Sequence, residues 1–461
     1  MLGVRPLLRA AASELCGHKT RQIQQIGFRR LASTWLQDID ETYQESKTRR
    51  LSGRIHILGV GNVGTFVAHS LASRSSPPPI TLLLHTPDWY SAFRRWKHRV
   101  AVQSKGLSDV KTGFDVNVLY EGTWRSIPFE NGEDNTPAAN EKAASEEMID
   151  DEAEHGNAVE YDAAEGTVPE DNEEIECLIV SVKAPVTASA LQTVRHRLTP
   201  NSTILFLQNG MGIIDEINEK VFPDLNQRPN YMVGIISHGL LRYNDFHVIH
   251  TGLGTTVLGP VLPQNSGTAA LSDKEPDWAP STKYLLRTLT LTPSLVAVAE
   301  PPSSVMLYQL EKLAMNSVIN PLTALMGCRN GELLYNYSFT RIMRLLLLEI
   351  SSVICSLPEL QSVPGIESRF SPERLRWMVT QLANKTEKNY SSMLQDVRAN
   401  KPTEIEYLNG YIVRRGEELG IKCVVNYMIK HLVLAKQQQF RQKESSTIPV
   451  EILNDSDDNS I

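Results

Sequence analysis

Long hydrophobic runs and cysteines are both scarce in this chain of 461 residues. No apolar run approaches the roughly 18 residues that span a bilayer, and the four leucines at 345–348 are flanked by charge. The sequence therefore excludes an integral membrane protein. The five cysteines are scattered, odd in number and without a CxxC pair. This pattern argues against a disulfide framework and against a structural zinc site, so we expect no metal centre.

Basic residues are almost absent from residues 130–176, where eighteen acidic residues stand against one base, Lys142. This stretch carries a net charge of −17, so the rest of the chain carries +10 although the whole carries −7. Because it also has few large apolar residues, we predict a disordered acidic insert. The positive charge elsewhere suits small anions. It is too weak and too scattered to predict a protein that binds nucleic acid.

Acidic residues are in turn nearly absent from residues 1–37, which hold six bases and one acid. Arg9 interrupts the only apolar stretch, so the segment lacks the core of a secretory signal. The composition is typical of a mitochondrial transit peptide, with cleavage expected near residues 29–33, and a disordered basic tail is the alternative. We therefore expect a mitochondrial matrix location ahead of a cytoplasmic one.

Two kinds of pattern divide the remaining chain. Residues 54–300 alternate short apolar strands with helices, which predicts an α/β domain of the Rossmann type. Residues 303–441 have helical spacing and predict an all-α domain. The expected helices cover residues 304–326, 331–356, 372–385, 403–419 and 426–441. The polar tail, residues 444–461, is expected to be disordered.

A glycine-rich motif follows the first predicted strand and opens a predicted helix. It places Gly59, Gly61 and Gly64 at the spacing GxGxxG. Such glycines permit a tight turn and a close backbone approach to a pyrophosphate, and the helix N-terminus supplies amide donors. A chance glycine-rich turn is the alternative. The strand before the motif and the helix after it favour a dinucleotide-binding loop.

The second predicted strand, residues 80–84, runs into Thr86 without an acidic residue in the first positions. An acid there would bind the ribose hydroxyls of NAD, whereas a base accommodates the 2′-phosphate of NADP. Arg94, Arg95 and Lys97 follow and could meet that phosphate, or could form a solvated helix face. The pattern favours NADPH.

A polar stripe follows one predicted helix of the second domain. Lys312, Asn316 and Asn320 recur every four residues, so they lie on one helical face, and most positions between them are apolar. A polar stripe on a mostly buried helix is costly unless something satisfies it, and a polar ligand would. A solvated stripe is the alternative. Pro321 is expected to kink this helix.

A second polar segment, residues 389–392, precedes a short predicted helix. Ser392 and Gln395 fit a capping box that would begin the helix. A helix N-terminus with a serine hydroxyl is also a good site for a carboxylate. The segment therefore has a structural interpretation and a functional one.

Taken together, these segments resemble the ketopantoate reductases, also called 2-dehydropantoate 2-reductases, of a fungal, mitochondrial type. The motifs that carry the resemblance are Gly59-x-Gly61-x-x-Gly64, Ser181-Val182-Lys183-Ala184, Gln208-Asn209-Gly210-Met211-Gly212, Ser237-His238-Gly239, Lys312-Leu313-Ala314-x-Asn316-x-x-x-Asn320-Pro321, Asn330-Gly331-Glu332, Ser391-Ser392-Met393-Leu394-Gln395-Asp396, Thr403-Glu404-Ile405 and Asn409-Gly410. The resemblance extends from about residue 54 to about residue 441 and leaves out the acidic insert.

The resemblance implies a Rossmann domain followed by a helical domain like that of 6-phosphogluconate dehydrogenase. It implies NADPH-dependent reduction of 2-dehydropantoate to (R)-pantoate, on the route to pantothenate and coenzyme A. Lys312 would be the catalytic proton donor. The substrate would be bound by Lys312, Asn209, Asn316, Asn320, Asn330, Asn389, Ser391 and Ser392. The cofactor would be bound by Gly59, Val60, Gly61, Asn62, Val63, Gly64, Lys183, Asn209, Gly239 and Glu404.

One departure and two alternatives accompany this interpretation. Many relatives carry a base near the position of Thr86, so its absence leaves the choice between NADPH and NADH open. The chain could instead reduce another 2-oxo acid, or be a catalytically idle member that acts as a mitochondrial binding or assembly factor, with the insert as a docking segment. The presence of Lys312, Asn316, Asn320, Ser392 and Glu404 argues against idleness. We expect a small 2-oxo acid as substrate, no nucleic acid, no membrane insertion, and a homodimer as one assembly to test.

Overall fold

The computed structural model describes residues 51–127, 169–262 and 278–444. The predicted leader, the predicted tail and most of the predicted acidic insert lie outside these ranges. The described residues form two compact units, one of residues 51–208 and 216–305, the other of residues 209–215 and 306–444. Within these ranges no helix is both long enough and apolar enough to cross a membrane.

Thirteen strands are found in the described part of the first unit. They are β1 Ile55–Leu58, β2 Ile80–Leu84, β3 Val100–Ser104, β4 Leu107–Lys111, β5 Asp115–Tyr120, β6 Thr123–Ile127, β7 Cys177–Val180, β8 Thr203–Phe206, β9 Asn230–Ile236, β10 Gly239–Asn244, β11 His247–Gly252, β12 Thr256–Pro260 and β13 Ala297–Ala299. Nine of them form one sheet in the order β13-β12-β9-β8-β7-β1-β2-β5-β6. The other four form a second sheet in the order β10-β11-β3-β4.

The centre of the large sheet is parallel, from β5 through β2, β1, β7 and β8 to β9. That order is the doubly wound Rossmann arrangement, in which the strand order reverses beside the first strand. Strands β1, β2, β7 and β8 are buried along their whole length. Their continuous apolar runs fit strands that are covered on both faces. Strands β6 and β12 pair antiparallel with β5 and β9.

The helices of the described chain are α1 Asn62–Ala72, α2 Pro87–Arg95, α3 Thr187–Val194, α4 Ile213–Lys220, α5 Pro280–Thr290, α6 Pro302–Met326, α7 Tyr337–Cys355, α8 Ile366–Arg369, α9 Pro372–Lys385, α10 Ser392–Arg398, α11 Asn409–Glu418 and α12 Val424–Glu444. Helices α7 to α12 and most of α6 belong to the second unit, which is therefore helical as predicted. Its core is a cluster of buried aliphatic side chains contributed largely by α6, α7, α9, α11 and α12.

Two predicted helices are interrupted in the structure. The helix expected over residues 331–356 is a 3-10 helix at Asn330–Tyr335 followed by α7. The break falls at Asn336, whose side chain accepts hydrogen bonds from the amides of the second and third residues of the segment that follows. This capping begins a new helix rather than continuing the old one. The helix expected over residues 403–419 likewise divides into a 3-10 helix, Ile405–Tyr407, and α11.

The described chain resumes at Pro169, inside the range 130–176 that was predicted to be an acidic insert. The Pro169 carbonyl accepts a hydrogen bond from the amide of Ser126 in β6 (3.2 Å). The next residue forms an isolated antiparallel bridge with β6. Residues 169–176 therefore belong to the folded unit, and the predicted boundary of the insert at its C-terminal end was wrong.

A buried arginine anchors this returning segment. Arg197 is 1% exposed, and its guanidinium lies 3.0 Å from the carboxylate of Asp171. The same carboxylate accepts a hydrogen bond from Asn117 (2.7 Å), and the Arg197 Nε donates to the carbonyl of Glu173 (2.8 Å). Burial lowers the pKa of Arg197 and Asp171 opposes that change. Composition placed Asp171 in a disordered segment because composition does not show which acid will meet a buried base.

Pro321 lies inside α6, and the helix continues past it to Met326. Proline has no N–H, so the carbonyl four residues earlier, that of Ser317, loses its helical donor. The side chain of Asn409 supplies the missing donor, with its Nδ2 2.9 Å from that carbonyl. Asn409 is fully buried and also donates to Asn426 (2.9 Å). The first residues of α11 thus compensate for the proline in α6.

Candidate active site

The glycine loop lies between β1 and α1, where the sequence predicted it. Gly61 is the N-cap of α1, and no side chain of the described residues caps this end of the helix. The first turn of α1, which begins at Asn62, contains no acidic residue. The amides of the first turn and the helix dipole are therefore available for an anion.

Each of the three positions in the loop requires or favours glycine for a different structural reason. Gly59 has a φ of +96°, and a Cβ there would lie 2.6 Å from the amide nitrogen of Val182. A Cβ on Gly64 would collide with the carbonyl of Gly59 and lie 2.6 Å from the Ser181 Oγ. A Cβ on Gly61 would meet no atom of the described chain within 4 Å. The first and third glycines are needed for packing, and the second leaves open space in front of the helix, which fits a dinucleotide pyrophosphate.

Strand β7 brings a second predicted motif to this loop. The Ser181 amide donates to the carbonyl of Leu58 (2.9 Å), and the Ser181 hydroxyl donates to the carbonyl of Gly59. Lys183 follows two residues later as the N-cap of a 3-10 helix. Because β1 and β7 flank the point where the strand order reverses, both motifs lie at the usual ligand position of such a sheet.

Gly239 begins β10, at a register shift in the hairpin that β10 forms with β11. Its neighbour Leu240 offers its carbonyl to the side chain of Asn62, with the nitrogen 3.5 Å away. The structure thus brings the segment that contains Gly239 to the first residue of α1. Gly239 packs tightly, since a Cβ there would lie 2.6 Å from the Thr251 hydroxyl.

The bases predicted to meet a 2′-phosphate are placed differently. Thr86 is the N-cap of α2 and accepts a hydrogen bond from the amide of Trp89 (3.5 Å), so α2 begins where β2 ends. Arg94 and Arg95 are exposed in the last turn of α2. At 1.5 Å per residue, that turn lies about 12 Å along the helix from Thr86. The structure therefore favours the solvated-face alternative for both arginines, and Lys97 lies beyond the end of the helix.

Lys312 lies on α6, in the second unit. The buried carboxylate of Glu404, which belongs to the same unit, interacts electrostatically with the Lys312 ammonium. Burial lowers the pKa of Lys312 to about 8, and the carboxylate of Glu404 opposes this by raising it. Lys312 as a whole is only half-buried. Its ammonium group is nevertheless removed from water, and this burial is the main cause of the lowered pKa. The result is an ammonium group that loses its proton more readily than an ordinary lysine.

Asn209 joins this pair from a distant part of the sequence. Its Nδ2 lies 3.1 Å from the Oε2 of Glu404. The residues after it pack on the Ile405–Tyr407 turn, where the Met211 amide donates to the Tyr407 carbonyl (2.9 Å). Gly210 has a φ of +92°, and a Cβ there would lie 2.6 Å from the Tyr407 Cβ. Glu404, predicted to bind cofactor, is thus grouped within the helical unit with Lys312 and Asn209.

The three residues of the predicted stripe all lie on α6 at spacings of four. Lys312 and Asn316 are half-buried, and Asn320 is 7% exposed. Their shared face follows from the helical repeat, so the structure brings together an ammonium group and two amides along one line.

A second group surrounds Asn330. Its backbone amide donates to the carbonyl of Asn389 (3.0 Å), and its Nδ2 donates to Thr386 (2.9 Å). Its Oδ1 is buried and has no hydrogen-bond partner among the described residues. An unsatisfied buried acceptor is costly, and a ligand that donates a hydrogen bond would remove that cost.

Ser391, rather than Ser392, caps α10. Its hydroxyl accepts a hydrogen bond from the Leu394 amide (3.1 Å), and Ser391 is buried whereas Ser392 is exposed. The predicted capping residue was therefore wrong by one position. The Thr323 hydroxyl of α6 donates to Ser391 (2.7 Å), which ties this segment to the helix that carries the stripe.

Two contributing residues were missed as parts of the site. Thr323 lies three residues after Asn320 and donates a hydrogen bond to Ser391 of the 389–392 segment. The sequence signal for this contact was a hydroxyl group on a predicted buried helix. Asn409 donates a hydrogen bond to the Ser317 carbonyl of α6, one turn before Asn320. The signal in the sequence was Pro321, because a proline inside a helix leaves a carbonyl that needs a donor from elsewhere. Within the described ranges, no group of three or more His, Cys, Asp or Glu side chains could hold a metal ion.

Comparison with protein families gives two matches. Residues 130–263 match the ketopantoate reductase PanE/ApbA family, and residues 304–437 match the C-terminal family of ketopantoate reductase PanE/ApbA.

Three curated relatives are similar to this chain. A probable 2-dehydropantoate 2-reductase of Schizosaccharomyces pombe is 32% identical over 255 residues, which is 55% of this chain and 71% of that protein. A 2-dehydropantoate 2-reductase of Salmonella typhimurium is 30% identical over 267 residues, 58% of this chain and 76% of that protein. A ketoisovalerate reductase of Gibberella fujikuroi is 27% identical over 401 residues, 80% of this chain and 79% of that protein.

Solved structures confirm the predicted fold class. A probable 2-dehydropantoate 2-reductase of Bacillus subtilis is 22% identical with a TM-score of 0.53, covering 83% of this chain and 99% of its own. A D-mandelate dehydrogenase bound to NADH is 18% identical with a TM-score of 0.54, covering 84% and 99%. A dimeric ketopantoate reductase of Staphylococcus aureus is 15% identical with a TM-score of 0.53, also covering 84% and 99%.

Proposed function

The chain belongs to the ketopantoate reductase family, and from that membership we propose that it reduces 2-dehydropantoate to (R)-pantoate with NADPH. As a member of this family it is an oxidoreductase that acts on a 2-oxo acid and its CH–OH product. The observation that carries the proposal is Lys312, a lysine of lowered pKa that shares a helical face with Asn316 and Asn320.

A bound nicotinamide dinucleotide would supply a hydride to the 2-oxo carbon. As negative charge develops on the carbonyl oxygen, the Lys312 ammonium stabilises it and delivers a proton from Nζ to that oxygen. A pKa of about 8 keeps the lysine mostly protonated near neutral pH while making it a better acid than an ordinary lysine. Glu404 keeps the ammonium form favoured, and Asn209 holds one oxygen of that carboxylate.

The amides of Asn316, Asn320 and Asn330 would bind the substrate. The free Oδ1 of Asn330 suits a hydroxyl donor, and 2-dehydropantoate differs from simpler branched 2-oxo acids by such a hydroxyl. The uncapped N-terminus of α1, behind Gly59, Gly61 and Gly64, would hold the pyrophosphate of the cofactor.

A second candidate substrate is ketoisovalerate. The fungal ketoisovalerate reductase matches 80% of this chain, against 55–58% for the two 2-dehydropantoate reductases cited above. Ketoisovalerate has the 2-oxo carboxylate but lacks the hydroxyl group of 2-dehydropantoate. A site that hydrogen-bonds a substrate hydroxyl rejects the analogue that lacks it, because its polar groups are then left unpaired.

The test is a coupled assay of the purified protein, with absorbance of NADPH followed in the presence of each 2-oxo acid. We expect a higher kcat/KM for 2-dehydropantoate than for ketoisovalerate. The Asn330→Ala variant should narrow that ratio by losing activity on 2-dehydropantoate alone. A higher kcat/KM for ketoisovalerate would replace the proposed substrate, and no turnover of either acid would support the idle, binding-factor hypothesis.

The Lys312→Ala variant tests the proton donor. Turnover should fall by about 10²-fold or more, the usual scale for loss of a general acid. The matched control is Lys385→Ala, which removes an exposed lysine from the last turn of α9 and should leave turnover unchanged. Near-normal turnover in a folded Lys312→Ala protein would remove this residue from the mechanism and make Lys183 the next candidate.

Location and assembly are part of the same proposal. The Arg-rich composition of residues 1–37 supports import into the mitochondrial matrix, which cell fractionation of the full-length chain would test. The dimeric Staphylococcus aureus relative supports a homodimer, which light scattering would detect as twice the mass of one chain.

A further inference from the structure

Strand β10 runs past two parts of the first unit that a dinucleotide would contact. Near its start, the Leu240 carbonyl accepts a hydrogen bond from Asn62, the first residue of α1 after the glycine loop (3.5 Å). Two residues later, the guanidinium of Arg242 lies 5.6 Å from the centre of the Trp89 ring. Residues two apart on a strand are separated by about 7 Å. Strand β10 therefore passes from the glycine loop to Trp89 within this short distance.

Trp89 marks the C-terminal end of β2. It lies in the first turn of α2, where its amide donates to Thr86, and its ring is 5.9 Å from the ring of His85. This end of the second strand is where Rossmann domains distinguish the ribose hydroxyls of NAD from the 2′-phosphate of NADP. Arg242 thus reaches the discriminating position from the second sheet, although β2 itself ends without a base.

Four further residues between the end of β2 and the end of α2 in the described chain carry ionisable side chains that bear on this position, namely His85, Asp88, Arg94 and Arg95. The His85 imidazole has its pKa lowered by burial, so it is neutral near pH 7. Asp88 is an exposed acid in the first turn of α2 and would favour ribose hydroxyls over a phosphate. Arg94 and Arg95 lie at the opposite end of α2. Of the residues placed at this end of β2, Asp88 therefore supplies a negative charge and Arg242 a positive one.

The guanidinium of Arg242 is available for a ligand. It pairs with Asp245 across the turn between β10 and β11, and the two side chains are 39% and 37% exposed. Water screens an exposed pair of this kind, so a phosphate dianion can replace the carboxylate. A guanidinium matches phosphate with two parallel N–H donors, and its contact with the Trp89 face holds it in place.

We propose that Arg242 binds the 2′-phosphate of NADPH beside Trp89 and so gives the enzyme its preference for NADPH over NADH. This inference rests on the proposed function, whose cofactor it specifies. It also answers the question left by Thr86, since the base missing from the end of β2 is supplied by β10.

The experiment is isothermal titration of the full chain with NADP⁺ and with NAD⁺, without substrate. The wild-type protein should bind NADP⁺ more tightly. Arg242→Ala should weaken NADP⁺ by about tenfold or more, the effect of one charge-assisted hydrogen bond, and leave NAD⁺ unchanged. Arg242→Lys should give an intermediate loss. The matched control Arg95→Ala should leave both affinities unchanged.

Asp245→Asn provides a test of opposite sign. It frees the guanidinium from its carboxylate partner and should tighten NADP⁺ several-fold without affecting NAD⁺. The chain has six tryptophans, so a Trp89→Phe variant isolates the contribution of Trp89 to the fluorescence. That contribution should respond to NADP⁺ in the presence of Arg242 and less in Arg242→Ala, which gives a second readout of the same contact.

Several results would overturn the assignment. They are equal losses for both cofactors in Arg242→Ala, no loss for either, tighter binding of NAD⁺ by the wild type, or a larger effect of Arg95→Ala. Failure of the wild type to bind either dinucleotide would instead defeat the proposed function together with this inference. Thermal melts of each variant establish folding, and Arg242→Lys retains the charge if Arg242→Ala unfolds.

Discussion

At the scale of single residues, the lowered pKa of Lys312 predicts how activity depends on pH. The reduction needs the ammonium form, which is lost as pH rises through about 8. We therefore expect kcat/KM for the 2-oxo acid to fall above that pH, by about tenfold per unit at the limit, because kcat/KM reports the pKa of the free enzyme. The measurement is kcat/KM for the 2-oxo acid between about pH 6 and 10.

Lys312→Arg is the control for this profile. A guanidinium keeps its proton throughout that range, so the variant should lose the descending limb even where its absolute rate is low. The same descending limb in Lys312→Arg would assign the titration to another group.

Local spacing predicted some residues of the site and could not predict others. Lys312, Asn316 and Asn320 were identified because one helix repeats every 3.6 residues and places them on one face. The bond between Asn209 and Glu404 joins positions 195 residues apart, and no local pattern records such a contact. The resemblance supplied both residues, and its assignment of Glu404 to the cofactor and of Asn209 to cofactor and substrate stays a prediction.

At the scale of elements, the glycine loop predicts two different outcomes for the same substitution. Gly61→Ala should fold with an unchanged melting temperature, because a Cβ there meets nothing within 4 Å. It should nevertheless weaken NADPH binding, because the methyl group enters the space proposed for the pyrophosphate. Gly64→Ala should lower the melting temperature, because its Cβ would collide with the Gly59 carbonyl. Thermal melts and titrations with NADPH measure both effects. An unaltered NADPH affinity in Gly61→Ala would contradict the proposed pyrophosphate site at the N-terminus of α1.

Helix α6 predicts a coupling between Pro321 and Asn409. Asn409→Ala leaves the Ser317 carbonyl without its donor and should lower the free energy of unfolding by about 1–3 kcal/mol. In a Pro321→Ala background the restored N–H can reach that carbonyl, so the same change should cost less. Urea unfolding of the four proteins gives the interaction energy. Equal costs in both backgrounds would show that Asn409 acts through Asn426 instead.

Strong periodicity allowed some elements to be predicted, and weak periodicity hid others. The predicted helix over residues 304–326 differs from α6 by two residues at one end, because its apolar repeat is long and regular. Strands β3 to β6 were not identified. They mix polar and apolar residues, and β4 is almost wholly exposed, so little alternation is visible in the sequence. Such strands depend on their partners in the sheet rather than on local preference.

At the scale of the whole molecule, residues 127 and 169, which flank a segment outside the described ranges, lie side by side. The Ser126 amide bonds to the Pro169 carbonyl, so a short linker can join them with little cost in loop entropy. Replacing residues 130–168 with a Gly/Ser linker should therefore leave turnover and melting temperature largely unchanged. The measurements are the coupled assay and a thermal melt.

The matched variant removes a few residues more. Replacing residues 130–174 also deletes Asp171, which pairs with the buried Arg197. Loss of a buried partner costs about 3–5 kcal/mol, so this variant should melt at a clearly lower temperature. Equal stability of the two variants would show that the Asp171 pair contributes nothing to folding.

The two compact units divide near residue 305, but one short segment before that point belongs to the second unit. Residues 209–215 follow β8 and include the first three residues of α4, and yet they belong to the helical unit. Their motif was recognised, whereas their packing on the Ile405–Tyr407 turn was not, because it depends on residues nearly 200 positions away.

This long-range packing has a consequence for synthesis on the ribosome. Asn209 and Glu404 are separated by 195 residues, and chains grow at about 5–20 residues per second, so about 10–40 s pass between their appearance. During that interval the segment after β8 emerges before any of the helices that will cover it. The strands that complete the large sheet, β9, β12 and β13, are all made first. The nascent α/β unit can therefore close while it still displays a loop whose partners have yet to be translated.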